Sequence, residues 1–283
     1  VFLSPKQKTS IPPLVDLPKL LSATERFIAD NESSEDLRLL LAPGSSLGGA
    51  RPKASVRDKD GSLAIAKFLK KDDEFNVVVW EAVTLTLAKK AKIKVPLYRL
   101  ETICEKPVLI IRRFDRDGGN RIPFLSAMSM LGARDNEQHS YLEMAYALAQ
   151  NGASPEEDMK ELWRRIVFTI MVSNTDDHLR NHGFIYERHK GWRLSPAYDI
   201  NPTPIEIAPR ILTTSIDFYD NSASLETAMR VAKDFRLKKE EALSIIQEVA
   251  SAVKQWRFVA SEFGLSKREC DRMSSAFVWE KNC

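Results

Sequence analysis

Few cysteines, no long apolar run and no concentration of charge mark this sequence, and each shortage excludes something. The three cysteines, Cys104, Cys270 and Cys283, are an odd number with no CxxC pair. That argues against a disulfide framework and fits thiols kept reduced in a cytosol. No apolar stretch reaches the roughly 18 residues that a membrane-spanning helix needs, and the N-terminus lacks the basic-then-apolar pattern of a secretory signal; a cytoplasmic protein with no membrane partner is expected. The formal net charge is only +3, with Lys and Arg scattered among Asp and Glu, so charge alone implies no nucleic-acid surface. Internal repeats and low-complexity tracts are absent as well.

What is present fits a globular chain: 283 residues, 43% hydrophobic and 29% charged, enough for two domains of ordinary size. After an irregular, proline-bearing start, helical spacing runs through "LPKLLSATERFIAD" and "SEDLRLLLA". A glycine-rich loop then feeds two β-like runs, "KASV" and "LAIAKF", joined by the turn residues "RDKDGS". A helix is expected from Asp72 and Asp73 onward, and two strands around a turn at Lys106 and Pro107. "RDGGN" marks a break, dividing a small β-rich N-lobe (1–117) from a larger helical C-lobe (118–283). In the latter, "SPEEDMKELWRRIVFTIMV" is the clearest helix, with Ser154 as cap and Pro155 at its first position. A hairpin, "GFIYERHKGWRLSP", follows, and two or three helices are expected beyond Ser222.

Directly after the clearest helix comes "NTDDHLRNHGF", which gathers most of the candidate chemistry. Asp176 and Asn181 are five positions apart, as in the HRDxxxxN loop of protein kinases, where the aspartate accepts a hydroxyl proton and the asparagine holds Mg²⁺. Asp199, in "AYDI", stands where a second metal-binding aspartate would fall, and hard oxygen ligands of this kind suit Mg²⁺. Lys67 lies in an expected strand and Glu81, 14 residues on, in an expected helix, so the two could pair and fix the lysine against ATP phosphates. The glycine-rich loop has Gly44 and Gly49 at Walker A spacing, but Ala50 and Arg51 replace the required Lys and Ser or Thr, and no GxGxxG is present.

Taken together, "SSLGGARPKA", "IAKF", "RRFDR", "NTDDHLRNHGF" and "LSPAYDINP", which span residues 45 to 202, resemble the HipA-like serine/threonine kinases, toxins of bacterial toxin–antitoxin pairs, and fit a short, HipT-like member. The resemblance implies an α+β, two-lobed, protein-kinase-like fold that uses ATP and Mg²⁺. It makes Asp176 the catalytic base with His178 beside it, Asn181 and Asp199 the metal ligands, and Lys67, braced by Glu81, a phosphate contact. Ser46, Gly48, Gly49, Ala50 and Lys53 would form the phosphate loop, with Arg112 and Phe114 at adenine and Asp115 near the ribose. Autophosphorylation is implied at Ser46, with Ser45 close by. Implied partners are a HipB-like DNA-binding antitoxin, with DNA reached only through it, and a protein substrate such as an aminoacyl-tRNA synthetase. Two departures stand out: Asp177 occupies a place often held by a smaller residue, and the N-terminal subdomain of longer members is expected to be absent or cut short.

Other readings compete. Asp and Asn commonly serve only as caps and turns, and Lys67 with Glu81 could be surface charges. His178 and His182 have the spacing of a helical zinc pair, with Asp177 as a third ligand and a phosphohydrolase as the outcome, but Asn181 and Gly183 argue against a continuing helix; His178 is expected to brace the loop by hydrogen bonds. A small-molecule phosphotransferase and a silent co-repressor module are the remaining alternatives.

Overall fold

The computed structural model describes residues 11–29, 31–40, 51–70, 73–118 and 120–279. Their contacts form two compact units. The first takes the described residues of Val1–Ala82 and Pro96–Asn120, and the second those of Val83–Val95 and Arg121–Cys283.

In the first unit, helices α1 (Leu17–Ile28) and α2 (Ser34–Leu40) precede β1 (Lys53–Arg57) and β2 (Leu63–Lys67). After α3 (Val77–Lys90), whose residues to Ala82 belong here, come β3 (Tyr98–Ile103) and β4 (Lys106–Arg112). The sheet is antiparallel, in the order β1-β2-β4-β3. Side chains alternate across a strand, so Ala54 and Val56, Ala64 and Ala66, and Val108 and Ile110 share one face and pack with Leu17, Leu20, Leu21 and Leu40 into a core. Lys53, Ile65, Lys67 and Leu109 fall on the other face by the same alternation. Gly61, at φ +82°, closes the β1-β2 turn, its N–H donating to Asp58 O at 2.9 Å, in a conformation glycine adopts without strain.

Two sequence expectations shift here. The β3-β4 turn sits at Cys104 and Glu105, both at positive φ, whereas Pro107 lies inside β4 opposite Thr102, near the strand start where a missing N–H is tolerated. Helix α3 begins at Val77, with Asn76 Oδ1 accepting from Val79 N at 3.3 Å. Asp73 instead accepts from Lys70 N at 2.9 Å and pairs with Arg51 at 2.5 Å.

Short strands β5 (Arg116–Asp117) and β6 (Asn120–Arg121) lead onward. The second unit then contains β7 (Phe124–Ser126), α4 (Ala127–Leu131), α5 (Tyr141–Asn151), α6 (Pro155–Val172), β8 (Gly183–Glu187) and β9 (Gly191–Leu194). The last three strands form one antiparallel sheet in the order β7-β8-β9. Helix α6 is buried almost all round, from Met159 to Val172, the mark of a helix at the centre of its unit. Its buried charges are matched: Arg165 with Glu161 at 2.9 Å, and Asp158 with Arg193 at 2.7 Å. Ser154 stands at its N-cap but makes no side-chain cap bond.

Helices α7 (Leu225–Val231), α8 (Lys239–Val253), α9 (Trp256–Glu262) and α10 (Lys267–Met273) complete the described chain. Four helices thus stand where two or three were expected, because the stretch read as one helix breaks after Val253. Trp256 there turns inward to stack on Phe277 at 4.5 Å. No helix of the described residues is long and apolar enough to cross a membrane.

Candidate active site

The candidate residues fall in both units. In the first, Lys67 ends β2 and Glu81 lies in α3, and Lys67 Nζ donates to both carboxylate oxygens, at 2.7 and 2.8 Å. The side chains are 13% and 3% exposed, which makes this an almost dry ion pair. Directly across the ladder from Lys67 stands Lys53. Like charges facing each other across strands are destabilising, and Glu81 is bound to only one of them. A lysine pair on one sheet face is the chemistry that an anion such as a phosphate group would relieve.

Asp115 accepts from Arg113 at 2.8 and 2.6 Å and from Arg116 at 2.5 Å. Burial alone would push its carboxyl up, but the Arg113 hydrogen bonds and the charge of both arginines outweigh that and hold it below the usual carboxylate range. The N–H of Arg112 donates to Leu97 O at 2.8 Å, so an adenine contact from Arg112 would run through its carbonyl. Phe114 is partly buried in the turn between. Ser45, Ser46, Gly48, Gly49 and Ala50 lie outside the described residues.

In the second unit, the C-terminus of α6 launches the polar loop. Ser173 takes the left-handed conformation at φ +50°, and Asn174 N donates back to Thr169 O at 3.0 Å, a common way to end a helix sharply. Asp176 is exposed, and Asp177 is 4% exposed. Asn181 closes a single 3₁₀ turn (Leu179–Asn181) and its Nδ2 donates to Asp176 O at 2.9 Å; that bond uses the amide nitrogen, so oxygen is the atom this side chain would offer a cation. The segment around Asp199 runs alongside. Asn201 N donates to Asn174 Oδ1 at 3.2 Å, Thr203 N to Ser173 O at 3.1 Å, and Tyr198 OH to Arg180 O at 2.9 Å. These bonds bring Asp176, Asn181 and Asp199 to one locality.

Asp199 sits at φ +59°, a left-handed backbone that costs a non-glycine residue about 1 kcal/mol or more. It is held there from both sides, by Ala197 N on Lys94 O at 2.7 Å and Thr84 Oγ1 on Ile200 O at 2.5 Å. Gly183, just past the loop, has a chain-packing reason: a Cβ there would meet the Phe124 ring at 2.3 Å and Ser195 Oγ at 2.9 Å.

The ring Nδ1 of His178 is buried with no hydrogen-bond partner among the described residues; His178 braces the loop through its backbone carbonyl, which accepts Asn181 N at 2.8 Å. The zinc arrangement is not formed, since the turn is 3₁₀ and not α, and no group of three or more His, Cys, Asp or Glu among the described residues could hold a metal ion. The donors at Asn181 and Asp199 are few, hard oxygens. They suit Mg²⁺ completed by water and phosphate better than a caged ion.

Sequence reasoning missed what Asp177 does. Its Oδ2 accepts from the Tyr141 hydroxyl and from Thr169 Oγ1 at 3.3 Å, and its Oδ1 lies 3.0 Å from His182 Nε2, close but poorly aligned for a hydrogen bond. Burial would raise this carboxyl, yet His182, Tyr141 and Thr169 together hold it below its ordinary range, while burial and the carboxylate push the Tyr141 phenol well up. The advance signs were a second acid beside the first and its place where the resembling family often has a smaller residue.

Residues 45–256 match the family described as HipA-like C-terminal domain. A structure of the Shewanella oneidensis MR-1 toxin–antitoxin HipA, HipB and operator DNA complex aligns at TM-score 0.65 and 17% identity, over 82% of this chain and 62% of that one. The Helicobacter pylori proinflammatory kinase CtkA aligns at TM-score 0.57 and 17% identity, over 83% and 94%. A Haemophilus influenzae protein bearing a provisional kinase name is 32% identical over 109 residues, 34% of this chain and 32% of its own length. The match thus spans about a third of that relative. The structural likenesses establish the class: an α+β, protein-kinase-like fold, with an antiparallel sheet in its N-terminal region and a helical bulk. Within that class, the chain belongs to the HipA-like C-terminal domain family.

Proposed function

We propose that this chain is an ATP- and Mg²⁺-dependent serine/threonine protein kinase of the HipA type. The observation that carries the reading is the Lys67–Glu81 pair, closed at 2.7 and 2.8 Å by residues 14 apart, because a lysine so held has a fixed direction in which to meet a phosphate. Lys53 and Lys67 would bind ATP phosphates. Asn181 and Asp199 would hold Mg²⁺, whose chemistry there is to neutralise charge developing on the transferred group. Asp176, exposed at the head of its turn, would orient the acceptor hydroxyl and take its proton. The remaining contribution is positioning, the main resource of phosphoryl-transfer enzymes.

The finer assignments follow from family membership. Ser46, or its neighbour Ser45, is the proposed autophosphorylation site. A HipB-like antitoxin is the proposed restraining partner, by analogy with the Shewanella complex, with DNA reached only through it. An aminoacyl-tRNA synthetase is the proposed class of protein substrate. The test is incubation of the purified chain with labelled ATP, Mg²⁺ and a bacterial lysate. Phosphate should appear on the chain or on a lysate protein, and Asp176→Ala should remove it; equal labelling by Asp176→Ala and wild type defeats the proposal.

A further inference from the structure

We propose that Asp177 is a positioning residue: its buried carboxylate, gripped by Tyr141, Thr169 and His182, sets the direction in which Asp176 and Asn181 point. The inference rests on the kinase reading of Asp176 and deepens it. The two adjacent aspartates are treated oppositely, Asp176 exposed and Asp177 4% exposed. Asp177 enters a pocket made by three elements: Tyr141 at the start of α5, Thr169 in the last turns of α6 and His182 at the edge of β8. The Tyr141 and His182 rings meet edge to face at 5.4 Å and close it. A fourth tether reaches the backbone, where Thr214 Oγ1 donates to Asp177 O at 2.6 Å. Thr213 clamps the residue before Asp176, its N and Oγ1 donating to Thr175 O at 3.1 and 2.9 Å.

An apolar side chain could anchor the loop in this pocket without desolvating a charge, and such replacements are often neutral or stabilising. What an apolar anchor lacks is direction. Two hydroxyl donors, from α5 and α6, converge on Oδ2 while the His182 ring stands 3.0 Å from Oδ1, and contacts at both oxygens fix rotation as well as depth. Asn181 returns its amide to Asp176 O, so rotation at residue 177 moves both chemical groups together. Displacement of a reacting group by about 1 Å can cost about a hundredfold in rate.

Tyr141→Phe removes one donor and leaves the ring, and Asp177→Asn keeps the shape and removes the charge. In the full chain with Mg²⁺ and ATP, kcat for autophosphorylation should fall at least about tenfold in the first and about a hundredfold in the second, with the KM for ATP within about twofold of wild type. Amide exchange at residues 175–181 should quicken while that of α6 does not. An unchanged kcat, or a loss no larger than the unfolded fraction measured by circular dichroism, overturns the proposal. Should Asp177→Asn fail to fold, Tyr141→Phe carries the test alone. Should wild type transfer no phosphate, the kinase reading fails, and exchange decides this one: local quickening upholds the positioning of the loop, and unchanged exchange refutes it.

Discussion

Removing Lys67 should damage stability and nucleotide binding together, and removing its partner as well should restore only the first. Lys67→Met leaves Glu81 as a carboxylate 3% exposed, without the ammonium that donates to both its oxygens. Breaking a buried pair by deleting one partner costs about 3–5 kcal/mol, about a fifth or more of a typical domain's stability of about 5–15 kcal/mol. The double variant Lys67→Met, Glu81→Met fills the same space with apolar atoms, and replacements of this kind are often neutral or stabilising. Its unfolding free energy from urea titration, followed by circular dichroism and tryptophan fluorescence, should return to within about 1 kcal/mol of wild type. Nucleotide binding by calorimetry should be lost in both variants, because what ATP needs is the directed ammonium and not the stability it brings. A double variant as unstable as Lys67→Met would refute the account of the pair as a closed electrostatic unit; a double variant that binds ATP normally would refute the role of Lys67.

Further outcomes follow from the second unit. Asn181→Ala should raise the Mg²⁺ concentration for half-maximal phosphoryl transfer more than it raises the KM for ATP; an unaltered Mg²⁺ dependence counts against Asn181 as a ligand. At Asp199, φ +59° penalises alanine more than glycine, so Asp199→Ala should melt below Asp199→Gly by differential scanning calorimetry, with both inactive; the reverse order contradicts the left-handed assignment. Asp220 is held down to about 2 by Ser222, Thr227 and Arg230. A depressed carboxyl stabilises above its unfolded value near 3.8 and loses that contribution as pH falls toward 2. Asp220→Asn should therefore lower the melting temperature at pH 7, where that contribution is fully present, and flatten the acid limb of the melting curve between about pH 4 and 2; an acid limb as steep as wild type's would refute this.

How much of this was readable in advance depended on whether the signal was local. Residue order and strand-helix spacing are properties of the chain, so the Lys67–Glu81 separation and the Asp176–Asn181 spacing were visible, and so was α6, with proline at its first position and acids in its first turn. The start of α3 was misplaced because Asp73 carries the right chemistry for a cap, yet gives its carboxylate to Lys70 and Arg51; a residue with two possible local partners cannot be assigned from its type. The β3-β4 turn was drawn to Pro107 for the same reason, when Cys104 and Glu105 accept positive φ without glycine.

Asp177 is the sharper case. Spacing to Asn181 singles out Asp176 in the sequence, but burial is not written there, and which of the two turns inward depends on where α6 stops. Ser173 ends the helix in the left-handed conformation, and two residues later Thr213 fastens Thr175, so the loop's rotation is set by a residue 38 positions away. Tyr141, 36 positions before Asp177, completes the choice by offering a hydroxyl at the pocket's end. The identity of the exposed acid is thus a long-range property even though the motif that contains it is short. Motif spacing can nominate Asp176, and the tertiary donors around Asp177 account for which of the two acids stays exposed.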